Sequence, residues 1–390
     1  MTEKPIILFA SNSIIFGNNA LEQLKPIISK VDPQHILVIT DKGLVRCGLV
    51  KRLENVLQSF KYSLYDDIEE TPDIVTIRKI TEMGRREKFD LLIGFGGGSP
   101  MDAAKAVSAL LTNEGDIEDY LGSDTIRIPG VKKILVPTTS GTGSEATIFS
   151  VLAKRDQAMQ EPTGISDQHL LPEWSIVDPT LTVVMPPALT ANTGMDAFSH
   201  AAECFVSNKS NFLTEPLALD AIKLISRNIE QAFFHGRDLV ARSNMSAGSL
   251  LAGMAISQIG TGGLAHALAE TIQIPYQVPH GMAIAVLLPH VMAFNLPARP
   301  DKYALVAEAM GVDSHGLSET ELAEKSVERV KNICALIGLP RNLAALGVHE
   351  HDLDKIARVT MIIGKGYFEK NPRRAGMDDL LGILQNAFMG

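Results

Sequence analysis

Two hydrophobic textures divide the chain. Up to about residue 185, short β-branched apolar runs alternate with longer amphipathic stretches. Residues 35–40, 62–65, 91–95, 133–136 and 174–177 read as strands, and 44–60, 72–88 and 101–112 as helices. Nearly continuous apolar strands that alternate with helices predict crossover connections and a parallel sheet covered on both faces. Beyond Asp178 apolar residues recur every three or four positions and few strands can be found. Pro179, Pro186 and Pro187 punctuate the change. The pattern predicts an α/β domain over 1–185 with a Rossmann-like parallel sheet, followed by an all-helical domain over 186–390. No repeat, low-complexity tract or coiled-coil heptad run is present.

Composition narrows the class. A chain of 390 residues exceeds one ordinary core. Its 45% hydrophobic and 21% charged residues are ordinary globular values, which excludes disordered and fibrous architectures. The net charge of −9 comes without any basic run, so nucleic acid and anionic membranes are not expected partners. Three scattered cysteines, Cys47, Cys204 and Cys334, cannot form a disulfide framework and suit a reducing cytoplasm. The first seventeen residues lack the basic, apolar and small-residue regions of a leader. The most apolar segment, GMAIAVLLPHVMAF, is short and contains Pro289 and His290, so no membrane span is expected.

Two loops carry candidate cofactor chemistry. After the strand at 91–95 comes Gly96-Gly97-Gly98-Ser99-Pro100-Met101-Asp102. Three glycines permit a tight turn and close backbone approach, and Pro100 suits a first helical turn. Exposed N–H groups at such a helix start bind phosphate or pyrophosphate, although a ligand-free turn would read the same. A second loop, Pro137-Thr138-Thr139-Ser140-Gly141-Thr142-Gly143-Ser144-Glu145-Ala146-Thr147, follows another strand. Two such loops at carboxyl ends of sheet strands suggest a dinucleotide laid across a crevice. Neither matches GxGxxG or the phosphate loop GxxxxGK[ST]. Asp41 ends the first clear strand, where a carboxylate accepts bonds from an adenosine ribose and repels a 2′-phosphate, favouring NAD over NADP. An ordinary helix N-cap is its competing role.

The helical half carries candidate metal chemistry. Asp196 and His200 are four residues apart on one helix face, and His266 and His280 follow, fourteen apart. One carboxylate and three imidazoles suit Fe²⁺ or Zn²⁺ better than Mg²⁺ or Ca²⁺. Each could instead be an ordinary core or capping residue. His200 and His266 lie in apolar, small-residue stretches where an unpaired imidazole is costly. His35, His169, His235, His290, His315, His349 and His351 read as surface or capping residues.

Across essentially its whole length the chain resembles the iron-dependent (group III) alcohol dehydrogenase family. The matching segments are IGFGGGSPMDAAKAV, PTTSGTGSEAT, VDPTLTVVMPPALTANTGMDAFSHAAE, and LAHALAE followed by VPHGMAIAVLLPHVMAFN. The resemblance implies the fold shared with dehydroquinate synthase: an NAD(P)-binding α/β domain, a helical metal domain and an active site in the cleft between. Position by position, it implies Asp196, His200, His266 and His280 as metal ligands, to Fe²⁺ or alternatively Zn²⁺. Gly97, Gly98, Ser99 and Asp102 would hold the pyrophosphate region, Thr138, Thr139 and Thr147 would line the dinucleotide, and Asp41 falls where NAD-preferring members carry an aspartate. A homodimer or larger homo-oligomer is expected.

The departures concern substrate and cofactor contacts. Glu270 stands where many members carry a second histidine, on the helical face of His266. As a fifth ligand it would bring the centre's charge towards zero, so it is expected beside the ligands as a relay for the alcohol proton. Pro162 stands near a frequent lysine, Thr71 replaces a frequent asparagine and Ile256 a frequent phenylalanine. With Phe149, Ala255 and Phe368 also apolar or small and no arginine clamp evident, a short neutral primary alcohol, diol or aldehyde is the expected substrate. Competing readings are a hydroxyacid–oxoacid transhydrogenase of the same fold and a metal- and NAD-using lyase similar to dehydroquinate synthase. The lyase would need basic residues that the ligand segments lack. A non-catalytic nucleotide-binding protein is the remaining alternative.

Overall fold

The computed structural model describes residues 13–154, 161–260 and 262–390. Most of the N-terminal segment tested above for a leader lies outside them. Two compact units are present, Met1–Val184 and Met185–Gly390.

In the first unit the strands are β1 (Ser13–Phe16), β2 (Ile36–Ile39), β3 (Tyr62–Tyr65), β4 (Leu91–Gly96), β5 (Gly122–Ser123), β6 (Lys133–Pro137), β7 (Phe149–Lys154), β8 (Glu161–Ser166) and β9 (Trp174–Val177). Its helices are α1 (Leu24–Val31), α2 (Lys42–Arg46), α3 (Leu49–Leu57), α4 (Ile74–Glu87) and α5 (Gly98–Thr112). Six strands form a wholly parallel sheet in the order β1-β9-β6-β4-β2-β3. Strict alternation sends each strand's side chains to two cores. Ile36, Val38, Leu91, Ile93, Phe95, Ile134 and Val136 pack with α1 and α3 through Ile28, Leu53 and Leu57. Leu37, Ile39, Leu92 and Leu135 pack with α4 and α5 through Ile77, Ile80, Val107 and Leu110. A parallel sheet buried on both faces follows, as the continuous apolar runs predict.

The strand order also positions the site. From β2 the chain moves outward to β3, then returns to the opposite side of β2 to lay down β4. That reversal opens a crevice beyond the carboxyl ends of β2 and β4, the place where open α/β sheets bind nucleotides. Residue 41 and the glycine-rich turn both lie there.

Some elements differ from the sequence pattern. The helix expected over 44–60 is broken into α2 and α3 at Gly48, whose φ of 82° no helix interior accepts. The edge strand β1 and a separate three-stranded sheet, β5-β8-β7, were not foreseen. Their runs are short and mix polar residues with apolar ones. His35 is buried, its ring 4.5 Å from that of Phe89 and its Nε2 3.0 Å from Ser63 Oγ, so the surface reading is corrected there. His290 is also partly buried, which pushes its ring down to about 4.

The second unit is helical: α6 (Pro187–Val206), α7 (Thr214–Phe234), α8 (Leu239–Ile259), α9 (Leu264–Gln273), α10 (His280–Asn295), α11 (Pro300–Ala309), α12 (Glu319–Leu336), α13 (Leu353–Ile363), α14 (Lys365–Phe368) and α15 (Met377–Met389). Alanines and glycine at 191, 194, 197, 201 and 202 let α6 lie deep among its neighbours. Arg242 of α8 is 1% exposed and donates to Gly236 O (2.8 Å), Thr190 Oγ1 (2.9 Å) and Met185 O (3.3 Å), which ties down the start of this unit. The stretch His280–Ala298 is long and apolar enough to cross a bilayer, contrary to the sequence expectation, but 67% of it is buried within the fold. A core helix passes the same test.

Candidate metal centre and cofactor loops

In the helical unit, α6 carries Asp196 and His200 one turn apart, α9 supplies His266, and α10 begins with His280. Asp196 Oδ1 lies 3.8 Å from His200 Nε2, 3.8 Å from His266 Nε2 and 3.6 Å from His280 Nε2. Donor atoms of Asp196, His200 and His266 all fall within 4.8 Å of one another. Four donors about 2.1 Å from one ion in a tetrahedral site stand roughly 3.4 Å apart, so these spacings fit a divalent transition metal. The His200 and His266 rings stack with centroids 4.6 Å apart.

The hydrogen bonding gives an independent test. Asp196 Oδ1 and His266 Nε2 are buried and have no hydrogen-bond partner. Native structures rarely leave such groups unpaired, and an unmodified polar interior would pair them. Burial raises the Asp196 carboxyl above its ordinary value against the pull of His280 and His266. Burial also pushes His280 down to about 4, which keeps its imidazole neutral and its lone pair free at neutral pH. The donor set therefore suits Fe²⁺ or Zn²⁺.

A ring of further groups orients these donors. Glu203, two turns along α6 from Asp196, pairs with His266 Nδ1 and also accepts from Gly263 N (2.8 Å) and Ala265 N (2.7 Å). Burial would raise the Glu203 carboxyl, but His266 and these donors outweigh it and hold it below its ordinary value. An ionised carboxylate only accepts, so His266 carries its proton on Nδ1 and presents the Nε2 lone pair towards Asp196. Gly263 is required here: a Cβ would stand 2.7 Å from Glu203 Oε1. His280 Nδ1 lies 2.9 Å from Gln273 Oε1, which fixes its ring in the same sense. Glu270, one turn beyond His266, accepts a hydrogen bond from the Tyr367 hydroxyl on α14. Burial raises its carboxyl, with Tyr367 and His266 opposing. Sequence reading missed Glu203, Gln273 and Tyr367. A lone carboxylate in the apolar run HAAECFV was the available signal for Glu203.

In the α/β unit, the glycine-rich turn and the hydroxyl-rich loop meet. Thr138 N donates to Gly96 O at 2.8 Å, and a Cβ on Gly98 would come within 2.8 Å of Thr142. Gly97 is the N-cap of α5, and no side chain caps that helix. By contrast Asp41 caps α2 and Asp73 caps α4. The helix at the crevice thus keeps free N–H groups and its positive dipole end, with Gly98 and Ser99 in its first turn. Asp41 combines both expected positions: Oδ1 accepts from Leu44 N (3.0 Å), and the half-buried carboxylate stands at the end of β2 beside the crevice. Thr139 is half-buried beside Gly97, whereas Thr138 is buried.

Asp102 and Thr147 are turned into the protein. Asp102 accepts from Ser144 Oγ (2.6 Å) and Val151 N (3.0 Å). Lys105, fully buried and unremarked in the sequence reading, donates to Ser144 Oγ (2.8 Å), Thr147 Oγ1 (3.0 Å) and Phe149 O (2.7 Å). Burial pushes its ammonium down to about 8 despite Asp102 alongside, and pushes Glu145 up to about 7. These residues bind the two loops to one another. Pro162 lies in β8 opposite Ala153, and Ala255 and Ile256 are buried in α8.

Comparison with known proteins agrees with both halves. Residues 11–179 match the family described as iron-containing alcohol dehydrogenase, and residues 190–388 match the Fe-containing alcohol dehydrogenase family, C-terminal. The chain is 37% identical over 381 residues to the 1,3-propanediol dehydrogenase of Klebsiella pneumoniae, covering 97% of each. It is 38% identical over 379 residues to long-chain-alcohol dehydrogenase 1 of Geobacillus thermodenitrificans (strain NG80-2), covering 96% of this chain and 94% of that one. A crystal structure of a 1,3-propanediol oxidoreductase superimposes with a TM-score of 0.94 at 36% identity, covering 99% of this chain and 100% of the other.

Glu203 offers a direct test of the centre. Glu203→Gln keeps the shape but weakens the acceptor for His266 Nδ1, and should lower metal affinity roughly 10–100-fold. Competition with a chelator measures it; affinity equal to the parent protein would refute the orienting role.

Proposed function

The chain belongs to the iron-containing alcohol dehydrogenase family, and on that premise we propose that it interconverts a short primary alcohol or diol with its aldehyde at a centre formed by Asp196, His200, His266 and His280. It is a metal-dependent alcohol oxidoreductase that uses NAD. The observation that carries the reading is the convergence of one carboxylate oxygen and three imidazole nitrogens, with Asp196 Oδ1 and His266 Nε2 otherwise unpaired. A cytoplasmic homo-oligomer is part of the same reading, supported by the resemblance and by three free thiols, Cys47 of them exposed.

When bound, the divalent ion supplies a Lewis acid for the substrate oxygen and NAD⁺ supplies the hydride acceptor. The chain's own residues do the rest. Three neutral imidazoles and the Asp196 carboxylate set the charge of the loaded centre near +1. Glu203 and Gln273 lock two of the rings so that their Nε2 lone pairs converge. Oxidation of an alcohol releases one proton from its hydroxyl as the hydride departs. Glu270, placed one turn from His266, takes that proton in its ionised form, with the Tyr367 hydroxyl holding its other oxygen. In the α/β unit the uncapped start of α5 with Gly97, Gly98 and Ser99 would hold the pyrophosphate. Asp41 selects against a 2′-phosphate. Thr138 and Thr139 would line the dinucleotide. Asp102 and Thr147 act at one remove, by holding the loops through Ser144 and Lys105.

Relatives of similar identity act on substrates from propanediol to long-chain alcohols, so chain length is the open variable. The apolar Phe149, Ala255, Ile256 and Phe368 support a short neutral substrate.

Three outcomes follow. Protein purified without oxygen should hold a divalent transition metal and oxidise NADH with short aldehydes; a metal-replete protein inert towards every aldehyde would overturn the assignment. Asp41→Ser keeps a cap for α2 but removes the charge, and should raise the NADP-to-NAD ratio of kcat/KM on the order of tenfold or more. An unchanged ratio would remove Asp41 from cofactor selection. Glu270→Gln should shift or abolish the acid limb of the kcat/KM–pH profile; an unchanged profile at an unchanged rate would exclude the relay.

A further inference from the structure

We propose that Tyr367 is a positioning residue that keeps the Glu270 carboxylate out of the metal's coordination sphere. This rests on the metal reading of Asp196, His200, His266 and His280. Glu270 follows His266 by one helical turn, so its side chain leaves α9 on the same face. A flexible carboxylate so placed is a natural further donor to a divalent cation. The Tyr367 hydroxyl is what engages it, donating to Oε1. That hydrogen bond fixes the orientation of the carboxyl group and takes up a lone pair that a metal could otherwise use.

The restraint is braced from both sides. Thr271, next to Glu270, meets Thr360 of α13 through their hydroxyl oxygens at 3.1 Å. Tyr367 N donates to Gly364 O at 2.9 Å, which holds α14 against the end of α13. Beyond it, Asn371 N donates to Tyr367 O at 3.1 Å, while Asn371 Nδ2 donates to Asn295 Oδ1 of α10 at 2.7 Å. Asn208 N donates to Lys370 O at 2.9 Å, joining the same segment to the end of α6. The tyrosine is therefore anchored to the helices that carry the candidate ligands. Its hydroxyl sets the choice between a centre with one carboxylate and a centre with two. One carboxylate leaves net charge near +1 and a free base beside the substrate. Two would neutralise the ion and consume the base.

Metal retention reads this directly. Protein loaded anaerobically with Fe²⁺ is mixed with excess chelator, and metal loss is followed over time for the parent protein, Tyr367→Phe, Glu270→Gln and the double variant. Tyr367→Phe should lose metal more slowly, on the order of tenfold, because Glu270 then joins the ion. Adding Glu270→Gln should return the rate to within about twofold of the parent, since the new ligand is gone. Glu270→Gln alone should stay within about twofold of the parent, because Glu270 is not a ligand there. Unchanged or faster loss from Tyr367→Phe overturns the proposal, as does slow loss that persists in the double variant. Loss tenfold faster from Glu270→Gln alone also overturns it, by showing Glu270 already bound. A parent protein that retains no metal overturns the metal reading itself, an outcome distinct from the others.

Discussion

The helical unit is arranged around a buried carboxylate that its own side chains do not satisfy. Asp196 sits in the middle of α6 at 4% exposure, with Oδ1 facing three imidazoles instead of a hydrogen-bond donor. Removing an ionised carboxylate from water costs several kcal/mol unless a counter-charge compensates. Burial disfavours the protonated form of His280, and Glu203, which favours that of His266, already balances charge on that ring. A divalent cation can supply the counter-charge. The surrounding fold is consistent with that demand. Small residues along α6 let the helix run deep enough to bury the site, and the glycine at 263 lets the α9 start close on Glu203. Two helix-borne rings then acquire fixed tautomers from Glu203 and Gln273.

The α/β unit meets the same difficulty with the opposite sign. Lys105 and Asp102 are both buried, and each is satisfied by the hydroxyl-rich loop instead of by solvent. Ser144 is the shared partner, donating to Asp102 while accepting from Lys105. The consequence is mechanical. The loop after β6 is fastened to the helix after β4, so two loops from neighbouring strands form one edge of the switch-point crevice. The network holds the start of α5 in place, and no side chain caps that helix.

Much of this was legible in the residues, and the limits have physical causes. Apolar runs located five strands of the main sheet, and in β2, β4, β6 and β9 burial leaves little room for polar residues. The edge strand β1 carries only the short run Ile14–Phe16 among polar neighbours and buries none of its residues. The helix break at Gly48 was missed because one glycine inside an apolar, amphipathic-looking stretch does not by itself end a helix. The four candidate ligands were readable from residue type and spacing, since imidazoles in apolar stretches are conspicuous. Their supporting partners were not. Gln273 and Tyr367 are unremarkable in sequence, and Tyr367 meets Glu270 across 97 positions. Lys105 was passed over because a lysine near a helix start ordinarily reaches solvent. Here the residue is 0% exposed, and only the packed loop reveals why.

The acids of the two sites show why residue type alone underdetermines role. Asp41 stands at a strand end, where its partner is the backbone N–H of Leu44; one oxygen is thereby committed to a helix cap and the charge remains at the crevice. Asp102 lies a few residues into α5 and accepts from Ser144 Oγ and Val151 N, which fastens the helix to the neighbouring loop and strand. Glu203 faces an imidazole, so it orients a ligand. Glu270 faces a phenol, which leaves it neither capped nor paired with a cation. Four carboxylates of nearly identical chemistry thus face four different donors: a helix-start N–H, a hydroxyl with a strand N–H, an imidazole and a phenol. Helical spacing can place an acid beside a metal ligand, but it cannot supply that donor. For Glu270 the donor arrives from a short helix near the end of the chain, and the centre's charge depends on it.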